Sequence, residues 1–162
     1  MHFLSDELIK NALSYSPETG VLTWLRPASN RVKPGAVAGS ETSYGYLSVR
    51  VNRKAYQAHR VAWYLAHGAW PTGDVDHING DRKDNRLENL RDVPRAINAQ
   101  NLRCAKRTST TGVLGVVCVN ERWIARITVG RKEKYLGSFD TSDQASAAYL
   151  SAKRSMHEGC TL

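Results

Sequence analysis

The stretch from Asp74 to Asn98 leaves this chain few ways to fold. Val75 to Ile78 is short and strand-like, and Asn79-Gly80-Asp81 is strong turn chemistry. Leu90 to Val93 can return as a second strand. Pro94 suits the first turn of a following helix, which would carry Asn98. The segment therefore reads strand, long polar loop, strand, helix. Such a unit occupies a small part of 162 residues, so further small modules are expected around it.

Charge singles out the same segment. The chain holds 23 Lys and Arg against 15 Asp and Glu, net +8, which attracts polyanions, nucleic acid above all. Residues 1–58 carry net +3 and residues 103–162 net +5, while residues 59–102 carry 6 charges of each sign. A neutral middle with a dense acidic cluster between basic flanks is of little use to a plain nucleic-acid binder. A metal-dependent nuclease needs it, because its ligands must be anionic.

Hydrolysis of a phosphodiester requires a base for water, a cation against the phosphate charge, hard oxygen ligands for that cation, and a fixed loop on which they converge. Asp76 and His77 can supply ligand and base, Asn98 can offer an amide oxygen, and Asn89 can tie the loop by side-chain hydrogen bonds. Neighbours in a regular strand point apart, so Asp76 and His77 should sit where the strand ends. With no second His among these donors, Mg²⁺ or Mn²⁺ is expected and Zn²⁺ disfavoured.

The segment Val75-Asp76-His77-Ile78-Asn79-Gly80-Asp81-Arg82-Lys83-Asp84-Asn85-Arg86-Leu87-Glu88-Asn89-Leu90-Arg91, followed by Asn98, resembles the HNH endonuclease family, in its branch from phage and phage-intron homing enzymes. His59-Arg60-Val61-Ala62-Trp63, Trp70-Pro71 and Pro17-Glu18-Thr19-Gly20-Val21-Leu22-Thr23-Trp24 look like the same branch. The resemblance implies a ββα-metal fold with His77 as general base, Asp76 and Asn98 on the metal, and Asn89 as the structural Asn of the catalytic constellation. His59 opens a helix and reads as structural. Asp74, Asp81 and Asp84 read as loop charges. Arg82, Lys83, Arg86, Arg91 and Arg95 could each touch a phosphate.

Upstream, Ser5 can cap a helix through Leu13 with Leu4, Leu8, Ile9 and Leu13 on its apolar side. Hairpins follow around Pro17–Gly20 and Asn52–Lys54, the second presenting Arg50, Arg53 and Lys54 outward; a Gly/Ser-rich loop runs from Pro34 to Ser43. His59 to His67 reads as a helix with Val61, Ala62, Leu65 and Ala66 on one side and Gly68 as its C-cap. Downstream, residues 103–111 lack periodicity and read as a basic linker. Then come strands over 113–119, 123–129 and 134–139, and a helix from Thr141 or Ser142 that buries Ala145, Ala148, Tyr149 and Ala152. Leu114-Gly115-Val116, Trp123–Ile127 and Leu136–Phe139, with Ala145 and Tyr149, resemble the plant ethylene-response-factor DNA-binding domain, which implies a sheet laid in the major groove. Arg122, Arg126, Thr128, Lys134 and Tyr135 are its candidate DNA contacts, because a basic sheet face can read guanine.

The expectation is thus an α+β chain in four parts: a basic β-hairpin region (1–58), a ββα-metal nuclease core (59–102), a linker (103–111) and a three-stranded sheet plus helix that binds DNA (112–162). It would act as a metal-dependent endonuclease on double-stranded DNA, site-preferring, nicking or homing in type, and monomeric on DNA. No small-molecule cofactor and no membrane are implied. Cys104, Cys118 and Cys160 form no CxxC pair, and the start lacks a secretory pattern, which fits the cytoplasm of a bacterial or phage-infected cell. If the last part is a detachable reader, a chain ending near Lys106 should keep its chemistry. The rival expectation is a non-enzymatic DNA-binding regulator built on a nuclease-like scaffold.

Overall fold

A computed structural model describes residues 3–27 and 29–162, with the backbone alone for residues 3 to 5. The chain packs as two compact units, Met1–Pro94 and Arg95–Leu162. The fold is α+β throughout, with several small antiparallel sheets. Among the described residues no helix is long and apolar enough to cross a membrane.

The first unit opens with α1 (Phe3–Ala12), followed by the hairpin β1 (Leu13–Ser16) and β2 (Val21–Trp24). The helix already includes Ser5, so Ser5 does not precede it as a cap; the side chains of Leu4 and Ser5 lie outside the described residues. Ile9 and Leu13 are buried, whereas Leu8 is 44% exposed and takes no part in the core. The loop after β2 contains a two-residue strand, β3 (Ser40–Glu41), which pairs with β4 (Leu47–Val51). β5 (Lys54–Gln57) completes that sheet. Asn52 and Arg53, at φ of 47° and 63°, make the two-residue turn that matches the twist of a tight hairpin. Alternation then puts Val49 and Val51 inside and Arg50 outside.

α2 (Ala58–His67) follows directly and ends where Gly68 turns into the left-handed region and bonds Tyr64 O. Ala58, Val61 and Tyr64 join Ile9, Leu13, Leu22, Ala38, Val49 and Val51 in the main core. Ala66, expected on the apolar side, is exposed, and Tyr64 fills that side instead. Trp70 stacks on Tyr64 at 4.6 Å, and its indole N–H donates to Asp6 Oδ1 at 2.8 Å, which fastens α1 to the segment after α2. The unit closes with β6 (Asp74–His77) and β7 (Leu90–Val93), whose Val75 and Leu90 pack with Ala62, Tyr15 and Trp63.

The second unit begins with the single turn α3 (Arg95–Asn98), continued by a 3-10 turn over Ala99–Asn101. Its sheet is β8 (Val116–Val119), β9 (Arg122–Val129) and β10 (Lys132–Phe139), in the order β10-β9-β8. α4 (Ser142–Met156) covers one face, capped by Thr141, whose hydroxyl accepts from Gln144 N. Val116, Ala125, Ile127, Ala145, Tyr149 and Ala152 form the core between them. Val113 and Leu114 pack against that core without joining a strand, and Ala148 is half-buried.

Candidate active site

β6 and β7 pair in register Asp76↔Arg91 and His77↔Leu90, so Asp76 and His77 occupy the end of β6. Both are buried. What precedes β6 is pinned by Asp92 of the partner strand, whose carboxylate accepts from Thr72 N, Thr72 Oγ1 and Gly73 N at 2.8 to 3.0 Å. Burial opposes the charge on Asp92, but these hydrogen bonds prevail and hold its carboxyl below the usual range.

The loop from Ile78 to Asn89 is organised by its own side chains. Asn89 Oδ1 accepts from Asn79 N at 2.9 Å, while Asn89 Nδ2 donates to Asp84 O at 2.8 Å, so one amide spans the loop. Asn79 caps the turn, accepting from Asp81 N and donating to Asp84 Oδ2, both at 2.8 Å. Arg86 grips Asp84 through Nε at 2.9 Å and Nη2 at 2.8 Å. That hydrogen bonding, chiefly from Arg86, lowers the Asp84 carboxyl to about 2. The loop thus keeps its negative hub ionised well below neutral pH.

The loop delivers Asn85 to His77. Asn85 is 2% exposed, and its Oδ1 lies 3.0 Å from His77 Nε2. An amide oxygen only accepts, so Nε2 carries the proton and the basic lone pair falls on Nδ1. Asn85 is fixed from behind: its carbonyl accepts from Tyr15 Oη at 2.7 Å, and Leu87 N bonds Pro17 O at 3.0 Å. Burial, with Glu18 and Asp84 adding to it, pushes the Tyr15 phenol up to about 12, so it remains a donor. The hairpin of β1 and β2 is therefore the floor of the loop.

Around His77 stand two more rings. His59 meets it edge-on at 5.1 Å and Tyr46 lies at 6.0 Å. His59 is itself buried, with no hydrogen-bond partner on Nδ1. Burial first, then the neighbouring His77 and Arg60, pull the His59 imidazole down to about 3, so it is neutral and adds no charge beside His77. Arg82 caps the group from Tyr46, its guanidinium 4.9 Å over that ring. Asp76 is held by Arg91, whose Nε and Nη2 donate to Oδ2 at 3.0 and 2.8 Å. Asn98 is the last residue of α3, in the second unit.

Residues 56–100 match the model of the HNH endonuclease family. The chain is also 30% identical over 107 residues to Protein 3.8 of Escherichia phage T7, a match covering 64% of this chain and 87% of the phage protein. The chain belongs to the HNH endonuclease family. No solved structure gives a significant match. The family match runs from residue 56 to residue 100 and stops before the C-terminal sheet.

Of the other residues singled out in this HNH chain, Arg50 and Arg53 are exposed, and Lys54 lies over the Tyr56 ring at 5.2 Å. Arg86 is half-exposed but engaged by Asp84 and by Glu88, the latter at 2.6 Å, which makes it a clamp of the loop. Arg82 and Lys83, read as phosphate contacts, bind Tyr44 O at 2.7 Å and Glu41 at 2.6 Å. In the C-terminal sheet, Arg126 and Tyr135 are paired neighbours on the exposed face, with Thr128 beside them and Arg126 bonded to Glu133 at 3.1 Å. Arg122 reaches Asp140 and Ser138. Lys134, also exposed, pairs with Ile127, whose side chain lies in the core under α4. A bulge between Tyr135 and Gly137 shifts the register of the rest of β10.

Tyr15, Tyr46 and Asn85 are the site residues that sequence reasoning passed over, while Arg91, expected as a phosphate contact, holds Asp76. Asn85 stands inside the matched motif, which was a usable signal. Tyr15 and Tyr46 announce nothing, since each acts through contacts set by folding.

Proposed function

We propose that this protein is a metal-dependent endonuclease hydrolysing phosphodiester bonds of double-stranded DNA, with His77 as its general base. The observation that supports this best is the hydrogen bond from His77 to the buried Asn85. It selects the tautomer whose Nδ1 can take a proton from water, and it fixes the ring within the Tyr46 and His59 wall. As Nδ1 takes that proton, the hydroxide oxygen bonds to phosphorus, the bond to the leaving oxygen breaks, and the leaving oxygen gains a proton from solvent.

The donor set suits a hard cation. Asp76 contributes a carboxylate, Asn98 an amide oxygen by the family motif, and no group of three His, Cys, Asp or Glu suited to a metal ion occurs among the described residues. Mg²⁺ and Mn²⁺ fit such a sparse set, because they retain waters and take up substrate phosphate. When bound, the ion would offset charge on the phosphate and the leaving oxygen. Arg91 holds the Asp76 carboxylate in place through two hydrogen bonds to Oδ2, and Asn89 ties together the loop that follows β6.

One such site per chain suits cleavage of one strand per binding event, as in nicking and homing enzymes. The exposed sheet face with Arg122, Arg126, Thr128 and Tyr135 would contact the duplex, exchanging the ion pairs to Glu133 and Asp140 for phosphate or base edges. The test is a nicking assay and a gel shift on one preparation. His77→Ala should lower cleavage about 10²–10⁴-fold with DNA affinity unchanged. EDTA should stop the wild type, and Mg²⁺ or Mn²⁺ should restore it. Undiminished cleavage by the variant, or by metal-stripped wild type, would overturn the reading.

A further inference from the structure

The C-terminal tail, residues 157–162, packs on the segment that carries Asn98. α3 is a single turn with no buried residue, and a helix of that length does not hold itself in water. The tail supplies restraint to the residues around it. Gly159 N–H donates to Gln100 Oε1 at 2.9 Å. The backbone of Gly159 lies so close that a Cβ there would stand 2.2 Å from Ile97 O. Thr161 Oγ1 donates to Asn101 Oδ1 and accepts from Arg103 Nη2 at 2.9 Å, while Thr161 O accepts from the same nitrogen at 3.2 Å.

Lys153 completes the brace. It is 1% exposed, the largest fully buried side chain among the described residues, on a helix face where a hydrocarbon would be expected. Its ammonium donates to the carbonyl of Leu102, the residue that terminates the 3-10 turn after α3. A cation at the carbonyl end of a helical segment satisfies an acceptor that has no partner of its own. The tail is in turn moored to the sheet, because His157 Nε2 lies 2.9 Å from Thr128 O and His157 N bonds Lys153 O at 3.0 Å. Hydrogen bonds thus link β9 through His157, Gly159 and Thr161 to Gln100 and Asn101, which directly follow Asn98, while Gly159 packs on Ile97 before it.

We infer that this tail and Lys153 are positioning elements for Asn98. The inference rests on the reading of Asn98 as a metal-binding residue. It reverses the expectation that a chain ending near Lys106 keeps its chemistry, since such a chain loses every contact described above.

The experiment compares wild type, Thr161→Val, Thr161→Ser and a chain lacking residues 158–162. Mn²⁺ binding is followed by electron paramagnetic resonance without DNA, amide hydrogen exchange is read over residues 97–103, and DNA affinity is read by gel shift. Thr161→Val and the shortened chain should bind Mn²⁺ about ten-fold more weakly, as loss of an outer-sphere partner does. Their 97–103 amides should exchange faster with DNA affinity unchanged, and nicking should recover as Mn²⁺ is raised. Thr161→Ser keeps the hydroxyl and should match wild type. Wild-type Mn²⁺ affinity in both Thr161→Val and the shortened chain would overturn the tail's role alone. Absence of Mn²⁺ binding in wild type would instead overturn the metal reading beneath it. Should the shortened chain fail to fold, the Thr161 pair decides.

Discussion

Gly20 is where the N-terminal hairpin meets the nuclease loop, and Gly20→Ala tests whether that contact holds the site. The residue sits at φ +73°, and a Cβ there would lie 2.5 Å from Arg86 N and 2.6 Å from Asn85 C. Both are backbone atoms of a loop already tied by Tyr15, Asn89 and Asp84, so neither can step aside cheaply. The left-handed conformation costs a residue with a Cβ about 1–2 kcal/mol. Forcing the methyl against backbone adds about 1–3 kcal/mol. Reduced freedom of the unfolded chain returns about 0.4–1 kcal/mol, leaving a net loss of about 2–4 kcal/mol. Gly45→Ala supplies the control, because Gly45 has φ +78° with nothing within 4 Å of the would-be Cβ, and it should show the conformational cost alone. Urea unfolding followed by fluorescence suits the comparison, since Trp24, Trp63 and Trp70 all lie in the first unit. Nicking by the folded Gly20→Ala protein should also fall, as Asn85 is pushed off His77. Equal midpoints for the two variants would refute the clamp.

Three further outcomes follow from the same geometry. Asn85→Ala should cost about 1–3 kcal/mol of stability by stripping a buried partner, and should slow nicking without changing gel-shift affinity; unchanged nicking would remove Asn85 from the site. His59 has a folded pKa of about 3, below its ordinary 6.5, so between those values the unfolded chain binds the extra proton and acid destabilises the fold. Stability should therefore fall by up to about 1.4 kcal/mol per pH unit between pH 6.5 and 4.5, and His59→Phe should flatten that slope in urea melts taken across the range. Arg126→Ala should relax base preference at a cost of about 1–3 kcal/mol if the side chain reads a base edge, and should weaken all sequences alike if it meets phosphate, which cleavage-site mapping on one long substrate separates.

What could be read without coordinates follows a physical division. β6, β7 and β9 were legible because each satisfies its burial locally, by alternation between turn residues, so pattern alone implies which face goes inside. The motif placed His77 and Asp76 at a strand end for the same reason. Contacts that join distant parts of the chain leave no such trace. Tyr15 reaches Asn85 across 70 positions, and Thr161 reaches Asn101 across 60; nothing in the composition of either end signals its partner. Lys153 misleads outright, since a lysine on a helix reads as solvent-facing, and only a free carbonyl on Leu102 gives it cause to be buried. The boundary of the second unit shifted for this reason. Residues 103–111 look like a linker by composition, and they would separate two parts if α3 belonged with β7 alone. The tail binds the stretch before them, so the unit begins at Arg95, ahead of the residue whose placement matters most to the proposed chemistry.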